Sequence, residues 1–484
     1  MCFDAGGGRL KWREPCATVA PAAGRSPDLL CAVARLSEAV CLLVDARPRG
    51  PRAGVADMSR THPVTRWLER AHPALFSAYA IAAAFTVYFC MYSFRKPFTA
   101  ISYDGAFELG GLELDLKTGF VLAQLIGYMS SKFIGIKVIS EMSPAKRSVT
   151  ILVTIGIAWA GLLGFAVAPP SLKLVCMLVN GVPLGMIWGL VFGFLEGRRL
   201  TELLGAGLSV SYIVASGYVK TVGRYLVDFY EVPEYWMPFA TGAVFVIPLC
   251  IAVYGLQVMP PPSEEDITLR VKREPMDGQA RSAFLKAYMP GLLPLTLLYL
   301  LLTAYRSFRD DFAAEIFVGL GYVGEPTIFA RTETPIAFGV LLVLVGLMFF
   351  RSNRSALIAA HVIMGLGTAL IALGTAAWQM GFLSGEWWMI VVGFGMYVAY
   401  VPYGCVLFDR MLGALGVVGT AGFMIYVTDA CGYLGTFMVY LYRNFGQADL
   451  DWVQFFASFS YVTALVCTLS FAVAGVYFAR VSKA

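Results

Sequence analysis

Apolar stretches long enough to cross a lipid bilayer recur from Ala74 almost to the C-terminus. One such run can anchor a protein, but many in series mean that the chain is built inside the membrane. Hydrocarbon offers the backbone no hydrogen-bond partners, so only helices and closed barrels can span it. These runs are continuously apolar and rich in Leu, Val, Ala and Gly, whereas barrel strands alternate in polarity, so the spans are helices and a porin is excluded. Charged residues make up only 14% of the chain, against roughly 25% in a typical soluble domain, which argues against an ordinary soluble enzyme.

Run length, punctuated by Pro, Gly and charge clusters, predicts about twelve helices. They are expected over 74–98, 116–139, 148–168, 174–195, 203–226 and 235–258, then 288–309, 334–350, 355–377, 386–407, 411–440 and 452–479. The expected fold class is therefore an all-α membrane protein of two six-helix blocks. Residues 1–57, rich in Ala, Gly, Pro and Arg and without a span-length run, read as a disordered or mis-annotated extension, with Met58 as the translation start. The first half then occupies 58–258, a linker 259–287 and the second half 288–484. Lys146, Arg147, Arg198, Arg199, Arg270, Lys272, Arg273, Arg281, Lys286, Arg351, Arg354 and Arg410 fall on one side, while Lys173, Arg331 and Arg443 fall on the other. By the positive-inside rule both termini and the linker are cytoplasmic, in a cell (inner) membrane.

The halves echo each other. Ser93-Phe94-Arg95 recurs as Ser307-Phe308-Arg309, Phe194-Leu195-Glu196 as Leu407-Phe408-Asp409, and Ala215-Ser216-Gly217-Tyr218 as Ala430-Cys431-Gly432-Tyr433, at offsets of 214, 213 and 215. Such a parallel repeat of six plus six helices implies a transporter with a site between its halves.

The run Tyr92 to Phe98, followed by Gly127-Tyr128-Met129-Ser130-Ser131-Lys132-Phe133, resembles the first two helices of the organophosphate:phosphate antiporters of the major facilitator superfamily, to which glycerol-3-phosphate and hexose-phosphate carriers belong. The short loop with Glu141, Lys146 and Arg147 resembles a degraded form of the superfamily's signature between helices two and three, a cytoplasmic gate. As a whole the chain resembles an uncharacterised bacterial family of multi-pass membrane proteins. The resemblance implies that Arg95 and an arginine of the seventh helix are paired phosphate ligands, with Lys96 and Lys132 beside them. The internal repeat nominates Arg309 as that partner, while the family's arginine, followed five residues later by an acid and an aromatic, fits Arg306, Asp311 and Phe312. Where the family has a histidine in the fifth helix this chain has Ser216, and Lys220 follows one turn later.

A charge at mid-bilayer costs about 2.5–3.5 kcal/mol on insertion scales, so such residues face a cavity and mark a pathway. Helical spacing aligns Arg95 with Tyr88 and Tyr92, Lys132 with Gln124 and Tyr128, Lys220 with Tyr212 and Ser216, Arg306 with Tyr299 and Asp310, and Asp429 with Tyr426 and Tyr433. A cavity presenting Arg95, Lys132, Lys220 and one of Arg306 or Arg309 is strongly positive, and guanidinium forks suit carboxylate and phosphate oxygens. The expected ligand is a small anionic metabolite, a phosphate ester or organic anion, moved by alternating access. Asp429 and Asp310 are the candidate coupling or charge-pair acids. A transporter-like receptor that binds the anion without moving it is the alternative. Neither a metal site, a nucleotide motif, a catalytic constellation nor a nucleic-acid surface is legible, so no cofactor and no enzymatic activity are expected, and the chain is expected to work as a monomer in the bilayer. Asn180, Trp188 and His361 read as packing residues, and the Gly-rich run Gly181 to Gly193 as a close helix contact.

Overall fold

The computed structural model describes residues 62–109, 111–140, 142–196, 198, 201–262, 266, 278–417 and 421–482. The expected extension 1–57, most of the expected linker and Glu141 lie outside them. Among the described residues, ten helical segments are long and apolar enough to cross a membrane. Two further long helices, the ones that carry Lys132 and Asp429, bring the total to twelve.

The first half opens with a short helix α1 (Pro63–Arg70). It continues through α2 (Pro73–Tyr92), a hairpin of β1 (Ala106–Leu109) and β2 (Leu112–Asp115), α3 (Leu116–Ser140), α4 (Pro144–Val167), α5 (Pro170–Leu184), α6 (Ile187–Leu195), α7 (Thr201–Asp228) and α8 (Met237–Gln257). The second half comprises α9 (Gly278–Asp311), α10 (Ala313–Gly319), α11 (Ile328–Met348), α12 (Asn353–Gln379), α13 (Gly385–Pro402), α14 (Phe408–Leu415), α15 (Ala421–Leu441) and α16 (Trp452–Val481). Local chemistry sets many of the boundaries. Pro63, Pro73, Pro144 and Pro170 open their helices, where the missing N–H would be unpaired anyway. Ser384 and Asp451 cap α13 and α16 through Trp387 N and Gln454 N, satisfying amides that no helical carbonyl can reach.

Several boundaries differ from the sequence expectation. The first helix stops at Tyr92 instead of running to 98, because Pro97 starts a separate 3-10 turn, Pro97–Ala100, and cannot donate a helical hydrogen bond. The fourth is interrupted at Gly185-Met186, just after Pro183. The seventh starts at Gly278, inside the expected linker. The eleventh is not continuous from 411: α14 ends on Gly416 with φ +66°, a left-handed conformation that glycine adopts without strain, and α15 starts afresh.

Packing is close where glycines allow it. A Cβ on Gly181 of α5 would collide with the Gln124 carbonyl of α3, so these two backbones touch, as small residues permit between membrane helices. Asn180 is fully buried there, donating to Phe94 O and Ala158 O and accepting from Gln124. Trp188 stacks on Phe192, and buried His361 bonds Leu357 O. Ile247, Leu342, Leu366 and Leu465, between 63% and 73% exposed, turn outward, as a lipid-facing surface requires.

Candidate functional site

The site lies between the halves, and the end of α2 builds its first part. Since the helix has already stopped at Tyr92, Arg95 belongs to the turn after it, not to a helical face as expected. Its guanidinium lies 4.0 Å from the centre of the Tyr128 ring on α3 and 5.8 Å from that of Tyr92. Arg95 is 8% exposed, has no ion-pair partner among the described residues, and its Nε has no hydrogen-bond partner.

The second half supplies the counterpart. Arg306 on α9 lies 4.6 Å from the centre of the Tyr400 ring, and it too has no ion-pair partner among the described residues. Tyr92 lies in the field of both arginines, as does Tyr433. Two guanidinium groups, one from each half, thus share a wall of tyrosines, and π-faces hold them without neutralising them.

Arg309 is placed differently. It donates to Glu333 Oε1 on α11 at 2.6 Å and to Met389 O at 3.0 Å, so its charge is already satisfied within its own half. The two arginines left open by the sequence therefore separate: Arg306 is the one beside Arg95's tyrosines, and Arg309 braces α9 against α11 and α13.

The lysines predicted for the site, Lys96, Lys220 and Lys132, are paired across the halves. Lys96 binds Asp310 at 2.7 Å and also Asp311. Lys220 on α7 binds the Asp310 carboxylate at 2.6 Å, and Ser216 one turn earlier donates to the same carboxylate. Tyr440 donates to Asp311 at 2.6 Å. Asp310 thus ties α7 and the turn after α2, both of the first half, to α9 of the second. A neighbouring pair, Lys117 to Glu315 at 2.6 Å, does the same between α3 and α10, with Lys117 also donating to Thr99 O. The hairpin reinforces this end: Asn444 donates to Glu113 O and accepts from Asp115 N. Beside these contacts a cavity of about 260 Å³ lies between Ile101–Asp104 and Phe317–Ile328.

Lys132 pairs with Asp429 at 3.3 Å, and Asp429 also accepts from Tyr299 at 2.6 Å. The Tyr128 and Tyr433 rings meet edge to face between the same two helices. At the start of α4, Arg147 donates to Gly193 O and lies 5.9 Å from the Phe194 ring, while Lys146 occupies the first turn.

Sequence reasoning missed Lys117 and Glu315, which stand at helix ends and look like loop charges. It also missed the tyrosine faces that carry both arginines and the hairpin, whose alternation Phe107, Leu109, Leu112, Leu114 around Gly110-Gly111 is a recognisable hairpin pattern.

This arrangement belongs to a multi-pass membrane protein with the fold of the major facilitator transporters. A solved structure described as the crystal structure of D-xylose-proton symporter superposes with a TM-score of 0.52 at 13% identity, covering 81% of this chain and 97% of that one. At that identity the likeness concerns the fold alone. No curated protein matches the chain in sequence. The profile of DUF5690, a family of unknown function, matches residues 97–481, and the chain belongs to that family.

Proposed function

We propose that the protein is a secondary carrier that moves a small anionic metabolite, a phosphate ester or organic anion, by rocking its two halves around a central site. The observation that carries this is the pairing of Arg95 and Arg306: two buried or half-buried guanidiniums from opposite halves, each seated on a tyrosine ring and neither matched by a carboxylate among the described residues. Uncompensated cations inside a membrane protein are expensive. An incoming carboxylate or phosphate supplies the missing charge with bidentate hydrogen bonds from both sides. The tyrosine hydroxyls around them offer neutral donors and acceptors for the rest of the ligand.

The Lys96, Lys220 and Lys117 ion pairs join the halves at the end of the bundle that carries the hairpin. With the orientation given by the Lys/Arg bias, that end is extracytoplasmic and both termini are cytoplasmic. One chain contains both halves of the path, so the carrier works as a monomer. The resemblance of Tyr92 to Phe98 and Gly127 to Phe133 to organophosphate antiporters is consistent with an oxyanion ligand.

The test is a thermal-shift screen of purified protein against phosphate, sugar phosphates, carboxylates, amino acids and neutral sugars, followed by flux into proteoliposomes. A ligand that binds only the folded state raises its stability by mass action. Anions are expected to stabilise the wild type and not Arg95→Ala or Arg306→Ala. Stabilisation by neutral or cationic compounds alone, unchanged in both variants, overturns the proposal.

A further inference from the structure

We propose that the cavity at the hairpin end is a binding site for a primary ammonium group, held between the two halves. Its volume is about 260 Å³, room for a small amine. One wall, Ile101–Asp104 with Glu234, belongs to the first half, and the other, Phe317–Ile328, to the second. It shares no residue with the Arg95 and Arg306 pair, so it stands or falls separately from the anion site.

Tyr103 is the residue that calls for a ligand. Its ring is held edge to face against Phe120 and Phe165, at 5.4 and 6.0 Å between centres. It lines the cavity yet is only 4% exposed, and its hydroxyl has no hydrogen-bond partner. A buried hydroxyl without a partner is costly. Burial first, and then the charges of Glu234 and Tyr235, push its pKa well above the usual tyrosine value. It therefore stays a neutral hydroxyl, with lone pairs to offer a donor. Tyr103 also holds a left-handed backbone, φ +53°, strain of the kind that concentrates at ligand sites.

Charge selects the occupant. Asp104, Glu234 and Glu325 line the cavity against one cation, Arg224. Arg224 is matched by Asp228 at 2.8 Å, and Glu325 shares Arg331 with Glu386. Asp104 and Glu234 have no ion-pair partner among the described residues. The cavity thus carries excess negative charge and disfavours the anions that Arg95 and Arg306 suit. Among the described residues no three carboxylates, imidazoles or thiols are grouped to hold a metal ion, so an organic cation fits better than a bare one. An ammonium of the –NH3+ type has three N–H donors for the Tyr103 oxygen and the carboxylates, whereas a trimethylated one has none.

Two sources share this chemistry, a free amine and the headgroup of an ethanolamine lipid. The second is open because Val318 and Val323, which also line the cavity, are 55% and 71% exposed. With walls drawn from opposite halves, an amine that touches both binds best when they are together, and so favours this conformation over one in which they part.

The experiment compares ethanolamine with choline, its trimethylated counterpart, in thermal-shift titrations of the full-length protein at neutral pH, with sodium chloride holding the ionic strength constant. Nanodiscs of phosphatidylethanolamine or phosphatidylcholine make the same comparison for the headgroup. The unmethylated form is expected to raise the unfolding temperature above that with its methylated counterpart, and the arm that responds identifies the source. Tyr103→Phe, which keeps the ring in place, and Glu234→Gln, at an exposed position, are each expected to weaken ethanolamine binding about tenfold, or to remove the lipid's effect. Unfolding without amine checks that each variant folds. Equal effects of methylated and unmethylated forms in both arms, or the same response in wild type and both variants, overturns the site.

Discussion

The tripeptide Ser-Phe-Arg occurs at the same place in each half, and its two copies have opposite fates. In the first half Pro97 follows and the helix has already ended, so Arg95 sits in a turn, stacked on Tyr128 and unmatched by an acid. In the second half the position equivalent to Pro97 is Asp311, the helix runs on to that residue, and Arg309 reaches Glu333 and Met389 O. The next residues, Lys96 and Asp310, are equivalent by the repeat and bind each other at 2.7 Å. The repeat thus supplies two similar frames, and a proline and a charge reversal leave one arginine stacked on a tyrosine without an acid and make the other a brace.

The largest expected effect separates these two arginines. Arg309→Ala strands the Glu333 carboxylate, and breaking a buried pair from one side costs about 3–5 kcal/mol, so its thermal unfolding should fall sharply. Arg95→Ala removes no ion pair; unfolding without ligand should change little, while anion affinity drops by about 2–5 kcal/mol, the range for truncating one partner of a buried charged contact. Equal loss of stability in both variants would end the contrast.

The second repeated segment gives the next test. A Cβ on Gly217 of α7 would collide across the halves with the Phe329 carbonyl and lie 2.8 Å from Glu333 Cγ, whereas one on Gly432 would meet Thr303 Oγ1 at 2.6 Å within the second half. Overpacking of this kind costs about 1–3 kcal/mol. Gly217→Ala is therefore expected to open the hairpin end, read as faster alkylation of Ala100→Cys, and Gly432→Ala to lower stability without changing that rate.

Smaller again is the coupling between Lys96 and Asp311. A double-mutant cycle of Lys96→Ala with Asp311→Ala, followed by thermal unfolding, should return about 0.5–3 kcal/mol for residues in one network, whereas strict additivity would show that the bridge contributes no stability. At the bottom stands Arg331, which pairs with Glu325 and Glu386 while 48% exposed. Arg331→Ala should shift stability by no more than about 1 kcal/mol, in contrast to its buried counterpart Arg309.

Much of the frame was legible because hydrophobic length is a direct physical signal: about twelve helices and the repeat could be read from the chain. Charges within those runs pointed to Arg95, Lys132, Lys220 and Asp429 because each is costly in hydrocarbon. The choice between Arg306 and Arg309 was not legible. Three residues apart on a helix, they share nearly one face, and the difference is set by Glu333 and Met389, which arrive from other helices. Which lysines were already neutralised was hidden for the same reason: Lys96 and Lys220 meet their acids only once the halves close.

The clasp between Asn444 and the β2 backbone has a practical consequence. A side-chain amide that donates to Glu113 O and accepts from Asp115 N acts like one more residue of a strand, so the hairpin and the turn after α15 present one composite surface drawn from both halves. An antibody fragment raised against that composite surface would recognise the two segments only when they are clasped together, and so would serve as a rigid handle for imaging.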